Sequence, residues 1–538
     1  MTTTFTRSLG SQPGYQMNQI QDNSGGFVES NNDQVFALAG RFTRGRIDKA
    51  FQVTSDNLAT KLGATASTSI SRLNEAYVQA YEAFSYGAAS GTVARMVPVA
   101  SAVNLQMVAV LDSTTGAVTW SVPDTLPSGY LLAITHLECF NDGVTAEIWA
   151  PEVTDDDGNS VATQIIRVRL LDVSTGEELY TFTGSLDETA VDDYGNSYYL
   201  PDVVTGLTDA VEIEVGSTLT IPITSDCYGE DDDGAAQLVA ADLSYFTEGG
   251  TTYLSSDYTS AINQLRYSAY DWEYLLSGGS ENLTLIAKMA TMCLATNRQF
   301  RVDVPGRYTP TEAITWASSL NQDTIYGMLQ WAPLIATDPV NGGKAYLGTS
   351  GIKVGYACAR NANQDANGLA AKNYPIAGVN YPISRTGVVQ KYTPTDSELS
   401  KLADAKINPV VLKKYSAGSS YVFTDSLTMK KTTGLTKLEA VVDMATWIDD
   451  QLAAFGNEVI QMPIAKAIEK MVDYADTLLT AAETAGWTNA TQELGGRSYI
   501  FTCTRNTNRI DAFTNTYSVA YDGTTRAVFS TQSIVRTT

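Results

Sequence analysis

Histidine is almost missing from this chain: His136 is the only one among 538 residues. That scarcity excludes an HExxH zinc site and leaves any Ser/His or Cys/His nucleophile a single base. The surrounding HLECF reads as an ordinary strand. Cysteine is sparse too. Cys139, Cys227, Cys293, Cys358 and Cys503 are odd in number, widely spaced and without a CxxC pair, which argues against a disulfide framework and a structural zinc. No run of about 18 apolar residues occurs, and the opening MTTTFTRSLGSQPGYQ lacks the charged and apolar blocks of a signal peptide. The expectation is a soluble chain made in the cytoplasm, with no membrane insertion. Neither GxGxxG nor GxxxxGK[ST] is found, and the glycines of GGKAYLGTSG (342–351) lack Walker spacing, so no cofactor is expected.

Bases are nearly absent from one long segment. Between Met96 and Leu265 stand 28 acids and two bases, Arg167 and Arg169, against 31 acids and 33 bases elsewhere, so the whole net charge of −24 sits there. Short β-branched runs such as TQIIRVRLLDV and EIEVGSTLTIPIT alternate in it with the turns TDDDGNS, DDYGNS and GEDDDGAA, the pattern of a separate acidic β-rich domain over 96–257. A calcium loop of EF-hand type needs glycine sixth and glutamate twelfth. Counting from Asp155, Gly158 falls fourth, and Asp231, Asp232 and Asp233 before Gly234 also miss that spacing. A solvated acidic face is the simpler reading, and it would repel nucleic acid.

What is present on either side reads as α/β. SDNLATKLG has Ser55 as an N-cap and Gly63 as a stop. It leads to the helix LNEAYVQAYEAFSYG and the strand TVARMVPV. Beyond the acidic segment, YTSAINQLRYSAYDWEYLL shows helical spacing, LTLIAKMATMCLAT a second helix, and QFRVDVP a buried strand. TPTEAITWASSL begins with a Pro-led cap, and TIYGMLQWAPLI is another apolar strand. A parallel or mixed sheet covered by helices follows. Such sheets bind ligands at strand carboxyl ends, which makes Asp303 a formal enzyme candidate, although a short carboxylate there usually caps a turn.

The last third carries two amphipathic helices. Leu438, Val441, Ala445, Ile448, Leu452 and Phe455 draw one apolar stripe, with Asp443, Asp449 and Asp450 off it; Ile464, Ile468, Met471, Ala475 and Leu478 draw the next, after Pro463. SYIFTCT, NTYSVAY and RAVFSTQSIV read as strands, the last two joined by Asp522–Gly523 as a hairpin turn. The final strand offers Val528, Phe529, Ile534 and Val535 as a paired or a free edge.

GRFTRGRIDKAFQVTS (40–55) sets Arg41, Arg44, Arg46 and Lys49 against one acid, Asp48. Followed by DNLATKLG and AYVQAYEAFSYGAASGTVARMV, it resembles the opening of contractile-tail sheath proteins of myovirus-type bacteriophages. QFRVDVPGRYTPTEAITW, IKVGYACARNANQDANGLAAKNYPIAG, AKINPV, the helix pair and the terminal STQSIV extend the resemblance in order, so that it spans 13–95 and about 258–538. It implies an α/β core (35–95 and 258–430), with the acidic β-rich segment 96–257 inserted as an outer domain. A C-terminal α+β inner domain (431–525) and extended strands at 1–34 and 526–538 complete it. Rather than a phosphate site, the basic stretch then becomes a set of charge contacts to neighbouring subunits. Such proteins stack as hexameric rings around a tail tube between baseplate and tail terminator, and they contract to drive the tube through the host envelope. Tyr15, Met17, Ile20, Val528, Phe529, Ile534 and Val535 are then the inter-subunit strand linkers. Asp443, Asp449 and Asp450 are the tube contact. The implied protein is a virion component assembled in the host cytoplasm, not an enzyme. Two other readings are the sheath of a bacteriocin or secretion machine, and an α/β enzyme with a β-rich lid using Asp303 and Asp365 as acid/base carboxylates.

Overall fold

VFALAG and GMLQW carry no polar alternation, and every residue in both is buried, the signature of strands covered on two faces. The computed structural model describes residues 32–111, 118–149, 157, 159, 163–216, 229–230, 236–239 and 245–532. Its main sheet has eight strands: β1 (Val35–Gly40), β2 (Phe51–Val53), β3 (Ser90–Arg95), β4 (Tyr274–Leu276), β5 (Gln299–Val304), β6 (Gly327–Trp331), β7 (Ile407–Tyr415) and β8 (Gly418–Phe423). Their order is β2-β3-β1-β4-β5-β6-β7-β8. The middle six run parallel, and β2 and β8 close the edges antiparallel. The longer helices outside the acidic segment are α1 (Glu75–Ser85), α2 (Ser255–Arg266), α3 (Leu283–Thr296), α4 (Pro310–Ser319), α5 (Ser350–Ala362), α6 (Asp396–Asp404), α7 (Glu439–Glu458) and α8 (Ile464–Thr484). One face of the sheet packs on α1 and α5 around Phe36, Val93, Ala80 and Val354. The other packs on α2, α3, α4 and α6 around Leu275, Phe300, Ile262 and Leu402.

Several local expectations change. The cap before the helical turn Leu58–Leu62 is Asn57, not Ser55; the Asn57 side chain accepts from the Thr54 N–H at 2.8 Å, while Gly63 does end the turn, with φ +75°. The run expected as one long helix from Tyr258 breaks after Arg266, and Tyr274–Leu276 is the central strand β4. A short apolar run buried on both sides looks the same in either state. TIYGMLQWAPLI divides at Ala332–Pro333 into β6 and a strand Leu334–Thr337 of a separate three-stranded sheet.

Strands Met107–Leu111, Val118–Ser121, Leu132–His136 and Val211–Val215 form one antiparallel sheet. Val144–Trp149, Ile165–Asp172 and Glu178–Ser185 belong to another, extended by Ala236–Val239 and Gly229–Glu230. They enclose a core of their own, including Leu132, Ile148, Val168 and Phe182. Asp155, Gly158 and Asp231 to Gly234 lie outside the described residues.

Helices α7 and α8 pack through their apolar stripes, with Phe455 stacked on Tyr474 at 4.0 Å. The terminal hairpin is β9 (Tyr499–Arg505) with β10 (Phe513–Val519). Asp522–Gly523 therefore joins no hairpin, and residues 526–532 are not a strand in the single chain.

Candidate assembly surfaces

The basic turn between β1 and β2 is aimed at the acidic segment of its own chain. Gly45, with φ +117°, brings the backbone so close that a Cβ would lie 2.5 Å from the Phe51 ring, and its N–H donates to the Glu138 carbonyl at 2.7 Å. Arg44, 5% exposed, forks between Asp142 and Asp172, donating to Asp172 at 2.6 and 2.8 Å and lying 4.0 Å over Phe140. Burial alone would raise the Asp172 carboxyl, but Arg44 and Ser174 hold it at about 2. Arg46 bonds Asp48 at 2.7 and 2.9 Å and Asp209 at 3.3 Å; Lys49 also pairs with Asp209, and Arg41 reaches Glu248 at 3.1 Å. From β3, Arg95 donates to the Cys139 carbonyl at 2.6 Å and to Asn141 at 2.7 Å. These bases meet acids of their own chain: Arg44 and Arg46, two of the four expected at a subunit contact, are buried in this joint, whereas Arg41 is half-buried and Lys49 exposed.

A second ionic joint ties α7 to the main sheet, and it buries Asp443, one of the three acids expected at the tube. Glu439 and Asp443, four residues apart, share one helix face, but it is the buried one. Glu439 pairs with Arg301 at 2.8 Å and Lys353 at 2.7 Å. Asp443 pairs with Arg360 and, at 3.4 Å, with Lys372, which also lies 3.4 Å from Asp33. Burial opposes the charge on Asp443, yet Lys372 and Arg360 hold its carboxyl well below the usual range. Asp450 is held by Arg298 and by Asn297 at 2.9 Å, and Asp449 accepts from the Tyr517 hydroxyl. Asp443 is buried, Asp450 half-buried and Asp449 exposed. By contrast, α8 exposes Lys466, Glu469, Lys470 and Asp473.

The β9–β10 hairpin covers these helices with alternate residues such as Tyr499, Phe501 and Tyr517. Its two strands pair only with each other among the described residues, which leaves two open edges. The chain then crosses its own domain through the Asp522 N–H to Trp487 carbonyl bond at 3.0 Å and the Arg526–Asp425 pair, and emerges with Val528 81% and Phe529 95% exposed. Ile534 and Val535 lie outside the described residues, as do Tyr15, Met17 and Ile20.

No family model and no curated protein matches the sequence. Solved structures do. The sheath tail protein of Listeria innocua superposes with a TM-score of 0.53 at 11% identity, over 90% of this chain and 91% of that one. The chain has the fold of a tail sheath protein. A sheath tail protein of Desulfitobacterium hafniense covers 90% of this chain and 96% of its own at 12% identity, with a TM-score of 0.47. The contracted sheath of an extracellular contractile injection system covers 56% of this chain and 77% of its own, at 12% identity and a TM-score of 0.41.

Within this fold the residues weighed as an enzyme site are engaged in hydrogen bonds of their own chain. Asp303, at the carboxyl end of β5, accepts from the Thr349 and Ser350 N–H groups at 2.7 and 3.2 Å and from Gln79 at 2.9 Å. It fills the N-terminus of α5, the place where such sheets take anionic ligands. Burial, then Glu75 nearby, pushes its carboxyl up to about 6. Asp365 accepts from the Asn367 and Leu369 N–H groups at 2.8 and 2.9 Å and shapes its own loop. His136 is buried, its Nδ1 2.6 Å from the Tyr245 hydroxyl. The sequence reading missed the cations Arg301, Lys353, Arg360 and Lys372. Arg301 inside a fully buried central strand was the available signal, since such a strand tolerates a charge only with a partner.

Proposed function

We propose that the chain is the subunit of a contractile phage tail sheath, polymerising as stacked hexameric rings around the tail tube and shortening to drive it through the host envelope. The likeness to the Listeria innocua sheath tail protein over nine-tenths of both chains carries this reading. The open hairpin and the exposed tail after Arg526 support it. Main-chain pairing survives large subunit motion, and an unpaired edge accepts a strand from another chain. The N-terminal residues around Tyr15, Met17 and Ile20 and the C-terminal Val528, Phe529, Ile534 and Val535 are the proposed linkers. The polar face of α8, with Lys466, Glu469, Lys470 and Asp473, joins the exposed Asp449 of α7 as the proposed tube contact, and the buried Asp443 is left out of it. Exposed ion pairs there contribute only about 0–1 kcal/mol each, which suits a grip that is released on contraction.

The acidic segment faces outward in this reading, because close packing of its charge around an axis is costly at low salt. Baseplate and tail terminator are the further partners, and no chemical turnover is assigned. Low-magnification electron microscopy of the purified chain tests the proposal: tubular sleeves are expected, and a protein that stays monomeric at all concentrations would overturn it. Sleeves joined to capsids in infected cells separate a phage tail from a bacteriocin or secretion sheath.

A further inference from the structure

Two surfaces without a role so far carry opposite charge, one concave and one projecting. One is a groove of about 390 Å3 between α2 and α3. Ile262 and Met292 are buried at its floor, and Arg266 and Lys288 stand at its rim. Neither base forms an ion pair among the described residues; Arg266 lies 5.4 Å from the Tyr267 ring.

The other surface is the turn 187–197 of the acidic segment. Tyr194 at its tip is 91% exposed and Val191 64%. The turn is built to hold them outward. Asp192 accepts from the Tyr194 and Asn196 N–H groups at 2.9 and 2.8 Å, Gly195 takes φ +82°, and Asp187 accepts from the Thr189 N–H at 2.9 Å. With those carboxylates engaged, Asp193 stands next to the tyrosine and Glu188 lies at the base of the turn near Tyr199, both exposed and without a base among the described residues.

We propose that Tyr194 of one copy seats in the α2–α3 groove of a second copy, with Glu188 and Asp193 meeting Arg266 and Lys288. The inference rests on the self-assembly reading above and gives it one contact. Tyr194 is too exposed to occupy its own chain's groove. A preformed turn carrying a tyrosine loses little entropy on docking, and tyrosine is a preferred interface anchor. The two patches differ, so the contact is heterologous and repeats from copy to copy, the arrangement that closes rings or propagates helices. Complementary charge fixes its register and disfavours other pairings.

Sedimentation velocity of the full chain reads this contact. Arg266→Glu with Lys288→Glu, and separately Glu188→Lys with Asp193→Lys, are each expected to raise the concentration needed for self-association about tenfold or more. The variant carrying all four changes is expected to recover most of that loss. Tyr194→Ala, at a site too exposed to disturb folding, is expected to weaken association as the charge reversals do. Association unchanged in both reversed pairs, or no recovery in the combined variant, overturns the contact. A wild type that associates through these residues without forming tubes supports the contact and overturns the sheath reading. A strictly monomeric wild type overturns both.

Discussion

Tyr274 of the central strand β4 donates its hydroxyl to Asp443 of α7 at 3.0 Å, and both side chains are buried. The same carboxylate accepts from Gln299 of β5 at 3.1 Å and faces Arg360 and Lys372. One acid therefore fastens the C-terminal helices to two strands of the main sheet and to α5. Removing it leaves the buried Arg360 without its acid and Lys372 with Asp33 alone, so Asp443→Ala is expected to cost about 3–5 kcal/mol. Glu469→Ala on the exposed face of α8 should stay within about 0.5 kcal/mol. Denaturant midpoints of the two variants decide the matter, and a loss below 1 kcal/mol for Asp443→Ala would show that the joint does not hold the helices.

Arg44 plays the corresponding part between the main sheet and the acidic segment. Its alanine variant leaves Asp142 and the buried Asp172 without their guanidinium, and the joint around 138–142 and 172–174 should open. Arg44→Lys is expected to recover only part of the loss, because an ammonium cannot fork between two carboxylates. Hydrogen exchange is expected to rise at those segments in Arg44→Ala while β5 and β6 keep their protection. Unchanged exchange there would mean that Glu138, Arg95 and Asn141 hold the joint without it.

Asp303 makes stability depend on pH with a definite sign. Its carboxyl is raised to about 6 in the folded chain, above its unfolded value, so the folded state holds an extra proton across that interval. This contribution is complete below about pH 4 and is lost as pH rises through about 6. Asp303→Asn removes the titration. The stability difference between wild type and variant should therefore shift against the wild type between pH 4 and 7, by on the order of 3 kcal/mol at most. Parallel stability curves across that range would place the Asp303 carboxyl near its ordinary value.

The elements that were legible in the sequence are those in which one local pattern has one outcome. The 3.6-residue stripes of α7 and α8 and the Thr309–Pro310 start of α4, where Thr309 accepts from Glu312 N–H, are of this kind. Tyr274–Leu276 was misread because a fully buried strand has no period to distinguish it from a buried helix. Asp522–Gly523 has hairpin chemistry but serves a linker, whereas the actual β9–β10 loop is turned by Asn506, which accepts from the Asn508 and Arg509 N–H groups at 2.8 and 3.1 Å. The ionic joints were hidden for another reason. Arg44 finds its acids 98 and 128 residues away, and Asp443 meets Arg360 across 83, so helical spacing could place the acid off a stripe but could not reveal the cation opposite it.

The tail after Arg526 should be dispensable for folding and required for sleeves. It leaves the domain at the Arg526–Asp425 pair, and Val528 and Phe529 already stand in solvent, so deleting residues 527–538 removes little packing from its own chain. Stability is expected to change by less than about 0.5 kcal/mol. The deleted segment can reach roughly 40 Å when extended, far enough for strand exchange with an adjacent copy. An incoming strand would satisfy N–H and C=O groups that the open edges of β9 and β10 now leave to water, and it would cover Phe529 on a second domain. Denaturant unfolding should therefore give the wild-type midpoint, while electron microscopy shows single subunits or short oligomers in place of long tubes. Regular long sleeves from this truncated chain would sink the strand-linkage proposal and shift the burden of assembly to side-chain contacts between subunits.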